Sequence, residues 1–204
     1  MTASVSPLPV VSAARPPLHR TLGVLAMIGS PMMLVQYVSW RIAGSAAPSP
    51  ESLIAQAEFL LYIWGFAAAA IGLRLLRVTG TGRGAATITA IQAVGLFLAS
   101  CQPLLDLTVG RARGGAFYMA TDIAWPASHV FMLVVGIAAL RAGVWRGWRR
   151  WTPLACGLAF PLMAAGAGIF GREAMGAVFG PATALSFGAL GLALATAPAR
   201  DRAR

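Results

Sequence analysis

Six long apolar segments, separated by short polar stretches, constrain this chain more than any other feature of its sequence. A helix needs about 20 consecutive apolar residues to cross the hydrocarbon core of a bilayer. Hydrophobic residues make up 58% of the 204 residues and charged residues 11%, whereas a typical soluble domain is about 25% charged. The pattern predicts an all-α polytopic membrane protein, a six-transmembrane-helix bundle with spans at about 20–40, 53–76, 85–107, 116–140, 151–171 and 174–197.

The two ends of the chain lack this apolar pattern. Residues 1–18 are rich in Pro, Ser and Ala and have no helical period, so they predict a flexible cytoplasmic tail. Residues 199–204 predict a second short tail, which leaves 19–198 as one membrane domain. A signal peptide is the alternative for the first segment. Arg41 disfavours it, because this charge separates the apolar stretch from the small residues at 43–47.

The basic residues are unevenly distributed between the two predicted sides of the membrane. The formal net charge is +10, and all sixteen basic residues are arginines. Twelve fall on one side of the six spans and four on the other, Arg41, Arg111, Arg113 and Arg172. Because cytoplasmic loops carry the excess of positive charge, both termini are predicted to be cytoplasmic. The expected location is the inner (plasma) membrane of a bacterium, with the lipid bilayer as the main partner and no nucleic acid bound.

Five polar residues within or beside the predicted spans are the candidates for binding a ligand or a proton: Glu58, Tyr62, Asp106, Asp122 and His129. With the predicted orientation, all but the near-central His129 lie in the outer half of the membrane. Asp122 and His129 share one helical face at i, i+7, and Glu58 and Tyr62 share another at i, i+4. A carboxylate in hydrocarbon is costly and must face protein or water. These residues therefore predict an outward-facing polar pocket.

Three of these residues also have a purely structural interpretation. Asp106 is close to the end of its span, where a solvated loop charge is favoured. Glu58 has the alternative of an ion pair with Arg41 or Arg172. His129 has the alternative of a neutral imidazole that is hydrogen-bonded to a neighbouring helix. The sequence leaves these alternatives open.

Small residues and prolines predict how the spans pack. The sixth span carries small residues at four-residue spacing, Gly176, Gly180, Ala184 and Gly188, which lets a neighbouring backbone approach closely. The fifth and sixth spans are expected to form a tight antiparallel hairpin, and self-association through the same stripe is the less favoured alternative. Five spans contain proline, at Pro31, Pro103, Pro126, Pro161 and Pro181. We interpret these prolines as residues that kink their helices, in preference to a role in gating.

Several chemistries are excluded by the residues that are missing. Without lysine there is no Schiff base, and with His129 as the single histidine inside a span, bis-histidine haem ligation within one chain is disfavoured. The sequence has no HExxH, Walker or GxSxG motif. Cys101 and Cys156 are predicted at different depths and are interpreted as free thiols. No cofactor and no metal are therefore expected.

Three functions remain. The preferred one is binding or transport of a small solute, with proton coupling, through the outward-facing pocket. An enzyme acting on a lipid or isoprenoid is the first alternative, with Glu58, Asp122 and His129 as acid–base groups. A function without catalysis is preferred over an enzyme. A non-catalytic assembly subunit, with a second copy or another membrane protein as its partner, is the second alternative.

Overall fold

The computed structural model describes residues 17–44, 52–108 and 115–198. These residues form seven α-helices and no strand: α1 (Leu18–Gly29), α2 (Met32–Ala43), α3 (Leu53–Leu75), α4 (Arg83–Thr108), α5 (Ala116–Ala142), α6 (Thr152–Phe170) and α7 (Ala174–Ala195). A short 3₁₀ helix, Gly147–Trp151, leads into α6. The predicted tails, apart from residues 17 and 18, lie outside the described residues.

The helices confirm the prediction of an all-α chain with six apolar segments of membrane-spanning length. Helices α1 and α2 together make the first segment, Leu18–Ala43, and α3, α4, α5, α6 with its preceding 3₁₀ turn, and α7 make the others. Each is long and apolar enough to cross a membrane. The other predicted boundaries agree with the observed helix ends to within about two residues, a difference expected where helix ends fray.

The six segments pack as a closed ring. Each helix from α3 to α6 packs against the next one along the chain, and α7 packs against α1 and α2. Helix α1 also packs against α3, which closes the ring on its other side. The interior is filled by large side chains of α3, α5 and α7, among them Tyr62, Phe66, His129, Met132 and Phe187. One face of the middle of α5 is therefore buried against the side chains of α3 and α7.

The break between α1 and α2 has a local cause. In a continuous helix, the amide of residue 31 donates to the carbonyl of Met27, but Pro31 has no N–H. The hydroxyl of Ser30 donates to that carbonyl instead, at 3.0 Å. The prolines of α4, α5, α6 and α7 lie inside helices that continue through them.

Glycines permit close contact at the first segment. A Cβ built on Gly65 of α3 would lie 2.8 Å from the Cα of Gly29 in α1, so the two backbones touch. On α7, a Cβ on Gly180 would lie 2.9 Å from the Cα of Leu34, and Gly176 faces the ring of Tyr37. Gly188 faces Ser30. The small-residue stripe of α7 thus faces α1 and α2 of the same chain, while other residues of α7 pack against α6.

The two ends of the ring differ in charge. One, the arginine-rich end, holds the start of α1 and the α3–α4 and α5–α6 connections, with Arg20, Arg74, Arg77, Arg83, Arg141, Arg146, Arg149 and Arg150. The described acidic residues all lie towards the opposite, carboxylate end: Glu58, Asp106, Asp122 and Glu173. The described helices therefore place their acidic groups in one half of the bundle.

Candidate functional site

His129 and Tyr62 form a hydrogen-bonded pair in the centre of the bundle. His129 is the middle residue of α5 and is 0% exposed, and Tyr62 of α3 is 1% exposed. The Tyr62 hydroxyl lies 2.6 Å from Nε2 of His129. Nδ1 of His129 lies 2.9 Å from the carbonyl oxygen of Trp125, one turn earlier in α5. Both ring nitrogens are thus engaged.

These partners assign the protons of the pair. A carbonyl oxygen only accepts, so Nδ1 of His129 carries the hydrogen that points to Trp125. Nε2 of the neutral ring is then an acceptor, and the Tyr62 hydroxyl donates to it. This is the arrangement of a neutral histidine tied to a neighbouring helix, which the sequence left open as an alternative for His129.

Aromatic rings surround the pair on several sides; they are called the aromatic shell below. The ring centroids of Phe66, Trp125, Phe179, Phe160 and Phe187 lie 5.1, 5.2, 5.4, 6.1 and 6.1 Å from that of His129. These rings come from α3, α5, α6 and α7. They exclude water from the imidazole, so a proton arriving there would have few polar neighbours besides Tyr62.

A second polar cluster lies towards the carboxylate end and joins α3, α4 and α5; it is called the amide–carboxylate network. Asp106 of α4 accepts from the Tyr118 hydroxyl at 2.5 Å and from the Gln56 amide at 3.3 Å. Asp122 of α5 accepts from the Gln102 amide at 3.0 Å. Each carboxylate thus has a donor from another helix, which is the condition under which a carboxylate is tolerated between spans.

Glu58 is the exception among the candidate residues. Its side chain is half-buried on α3, and within residues 17–44, 52–108 and 115–198 it forms no ion pair or hydrogen bond. The described residues therefore contain no tie from Glu58 to Arg41 or Arg172. It is a carboxylate on the same helix as Tyr62, one turn closer to the carboxylate end.

The hydrogen bonds of the candidate residues do not follow the helical face that two of them share. Asp122 and His129 lie on one side of α5, yet Asp122 bonds to Gln102 and His129 bonds to Tyr62. Trp125 lies between them, and its indole nitrogen is buried without a hydrogen-bond partner. The candidates are thus two clusters along α5, separated by about two helical turns.

The amide donors and the aromatic shell are parts of the site that the sequence did not predict. The donors Gln56, Gln102 and Tyr118 were not among the candidate residues, although a carboxylate within a span requires donors. Phe160, Phe179 and Phe187 carry no chemical signal in the sequence. They belong to the site only because α6 and α7 pack against the middle of α5.

The described residues do not bring together three or more His, Cys, Asp or Glu side chains in a geometry that could hold a metal ion. Cys156 is buried and Cys101 partly buried, both as free thiols. What the arrangement does provide is a proton acceptor, Nε2 of His129, with one donor at hydrogen-bonding distance.

Comparison of the chain with protein-family models, with curated proteins and with solved structures finds no significant match.

Proposed function

We propose that the chain is a multi-pass protein of the bacterial inner membrane that binds or transports a small solute in a proton-coupled manner. The observation that carries this proposal is the Tyr62–His129 hydrogen bond at the middle of the bundle, in line along α5 with the amide–carboxylate network. Both clusters use the same helix, so a change at one reaches the other through α5.

The proposed orientation follows from charge. The arginine-rich end faces the cytoplasm, since positive loops are retained there, and both termini lie on that side. The carboxylate end then faces outward. The acidic residues of the network become the entry point for protons and for a polar or cationic solute.

The pair offers a two-state element. In the neutral state Tyr62 donates to Nε2 of His129. When Nε2 takes up a proton it becomes a donor, so the Tyr62 hydroxyl must rotate and act as acceptor. The hydroxyl hydrogen then needs a new partner, and Phe179 and Phe187, which pack against the Tyr62 ring, offer none. Protonation therefore favours a rearrangement between α3 and α5.

Access to the pair is asymmetric. Towards the carboxylate end, α5 continues to Asp122 and Tyr118, both of which bond to α4. Towards the arginine-rich end its buried side chains are apolar, Met132, Val135 and Ala139. The polar groups nearest the pair therefore lie towards the carboxylate end, and because Asp122 and His129 are about two helical turns apart, proton transfer between them requires the helices to move, as in alternating access.

Proton binding can be tested with the chain's own histidines. There are two, His19 and His129, so protein labelled with ¹⁵N-histidine gives two ring systems, and His19→Gln isolates the second. We expect His129 to titrate reversibly while the protein stays folded, and Tyr62→Phe to shift that titration. A ring that stays neutral over the whole range would rule out a proton-accepting role.

Proton flux is the second test. Proteoliposomes with a trapped pH dye are given a potassium diffusion potential, and the initial rate of internal pH change is measured. We expect His129→Gln and Tyr62→Phe to lower the rate at least about a hundredfold, the low end of what a positioned proton-transfer group contributes. Tyr37→Phe is the matched control, because it removes a hydroxyl with no hydrogen-bond partner among the described residues. Equal rates in Tyr62→Phe and Tyr37→Phe would contradict the proposal.

The other two functions have less support from the geometry. A lipid-modifying enzyme needs its acid–base groups together at one substrate, whereas Asp122 and His129 bond to different helices about two turns apart. Assembly through the α7 stripe needs that stripe free, whereas Gly176 and Gly180 face Tyr37 and Leu34 of the same chain. We therefore base the proposal on the polar clusters and not on the stripe.

A further inference from the structure

A narrow apolar groove of about 190 Å³ opens between α3 and α4 on the outer surface of the ring. Its floor is formed by the buried side chains of Ala70 and Leu96. Its rims are Ile71, 47% exposed, and Phe97, 69% exposed. Ala67 and Ala93 also line the groove, and their short side chains leave the space between the helices.

The groove presents no free hydrogen-bonding group. Two hydroxyls reach its wall, but each donates to a carbonyl of its own helix: Thr89 to Ala85 at 2.9 Å and Ser100 to Leu96 at 2.7 Å. A polar occupant would lose its hydration here without compensation. The groove therefore suits a hydrocarbon chain.

One end of the groove leads to a cluster of positive charge. Arg74 follows Ala70 and Ile71 by one turn of α3, and Arg83 begins α4, so both flank the groove at the arginine-rich end. Arg77 lies in the connection between them. The connection 76–82 contains no acidic residue. The groove and the charge are thus parts of one continuous surface.

Backbone geometry places Arg77 in this cluster. It has φ of +53°, a left-handed conformation that is unusual for a residue other than glycine. The conformation closes the end of α3, because the amide of Val78 donates to the carbonyl of Leu73 at 2.9 Å, as in a Schellman turn. Val78 is fully buried, so the turn anchors this short connection to the bundle.

These arginines are available to a ligand. Arg74, Arg77 and Arg83 form no hydrogen bond or ion pair with any other described residue. In the α5–α6 connection, by contrast, Arg149 donates to the carbonyl and hydroxyl of Thr196 at 3.2 and 3.0 Å and also lies over the ring of Trp148. The α3–α4 cluster thus has charge without an internal partner.

We propose that the α3–α4 groove and Arg74, Arg77 and Arg83 form a binding site for an acidic phospholipid. One acyl chain lies along the groove, and the phosphate is held by the arginines, as in basic sites between transmembrane helices. The cluster offers no carboxylate to a choline or ethanolamine group, so an anionic headgroup is selected. The proposal rests on the membrane location of the chain and is independent of proton coupling.

The test measures lipid retention by native mass spectrometry. Protein purified in mild detergent is incubated with equal amounts of phosphatidylglycerol and phosphatidylcholine, and bound lipid is quantified. We expect preferential retention of phosphatidylglycerol. The triple variant Arg74→Gln, Arg77→Gln, Arg83→Gln should lower phosphatidylglycerol affinity at least about tenfold, since each arginine contributes about fivefold near a membrane surface. The matched control removes three exposed charges at the end of α5 and in the α5–α6 connection: Arg141→Gln, Arg146→Gln, Arg150→Gln.

The groove is tested separately. Ala93→Leu fills it and should reduce retention of phosphatidylglycerol, whereas Ala127→Leu, on the exposed surface of α5, should not. Equal binding of the two lipids, equal loss in the two triple variants, or full retention in Ala93→Leu would each overturn the site. If the first triple variant fails to fold, Arg83→Gln against Arg146→Gln makes the same comparison with single, exposed side chains.

Discussion

Replacing Tyr62 with phenylalanine removes one hydroxyl from the centre of the bundle and leaves the ring in place. Nε2 of His129, 2.6 Å from that hydroxyl, then has no donor. It is 0% exposed, and the aromatic shell admits no water to replace the lost bond. The perturbation is therefore a buried acceptor left without a partner.

The expected cost follows from this burial. An unsatisfied buried polar group costs about 1–3 kcal/mol, while hydrogen bonds measured between transmembrane helices average about 0.6 kcal/mol with a maximum near 1.7. Since His129 is fully enclosed, we expect a loss near the upper membrane value, about 1.5 kcal/mol in the free energy of unfolding. This corresponds to roughly a tenfold change in the unfolding equilibrium.

The assay is reversible unfolding in mixed micelles, arranged as a double-mutant cycle with His129→Phe. The double variant replaces both partners with apolar rings and should recover much of the loss, because neither position then carries an unsatisfied side-chain polar group. Tyr37→Phe is the control, with an expected change below about 0.5 kcal/mol. A Tyr62→Phe cost no larger than the control, or a coupling energy near zero, would refute the reasoning.

Three further predictions address packing, accessibility and orientation. Gly65→Ala should destabilise the fold by about 1–3 kcal/mol, because its Cβ would meet Gly29 at 2.8 Å; Gly168→Ala, with open space around it, should not, and equal unfolding midpoints would contradict this contact. Cys156, fully buried, should resist maleimide until the protein is denatured, so labelling of the folded Cys101→Ser variant would show an open core. A fluorescent reporter fused to the carboxyl terminus should fluoresce in cells, and alkaline phosphatase fused within residues 45–51 should be active; the reverse pattern would invert the proposed orientation.

The six apolar segments were predictable because the signal is local. Each is a run of apolar side chains long enough to cross a bilayer, and its ends are marked by charged or small polar residues. The predicted span 116–140, for example, corresponds to Ala116–Ala142. The break at Pro31 was also anticipated as a kink, since the missing amide is a property of that residue alone.

The candidate site was predictable only in part. Polar residues within apolar segments pointed to Tyr62, Asp106, Asp122 and His129, because such residues are costly in lipid. Their partners were not predictable. Helical spacing suggested a link between Asp122 and His129, but Gln102 of α4 bonds to the first and Tyr62 of α3 bonds to the second.

Composition and hydropathy alone thus establish how many helices of spanning length the chain forms and where its rare charges lie. Which helices meet depends on contacts between residues far apart in the chain, such as Gly29 with Gly65 and Leu34 with Gly180. These contacts close the ring. As a result, side chains of α3, α6 and α7 meet the middle of α5. The physical reason is that hydropathy is set by neighbouring residues, whereas a buried histidine's partners are set by the packing of helices around it.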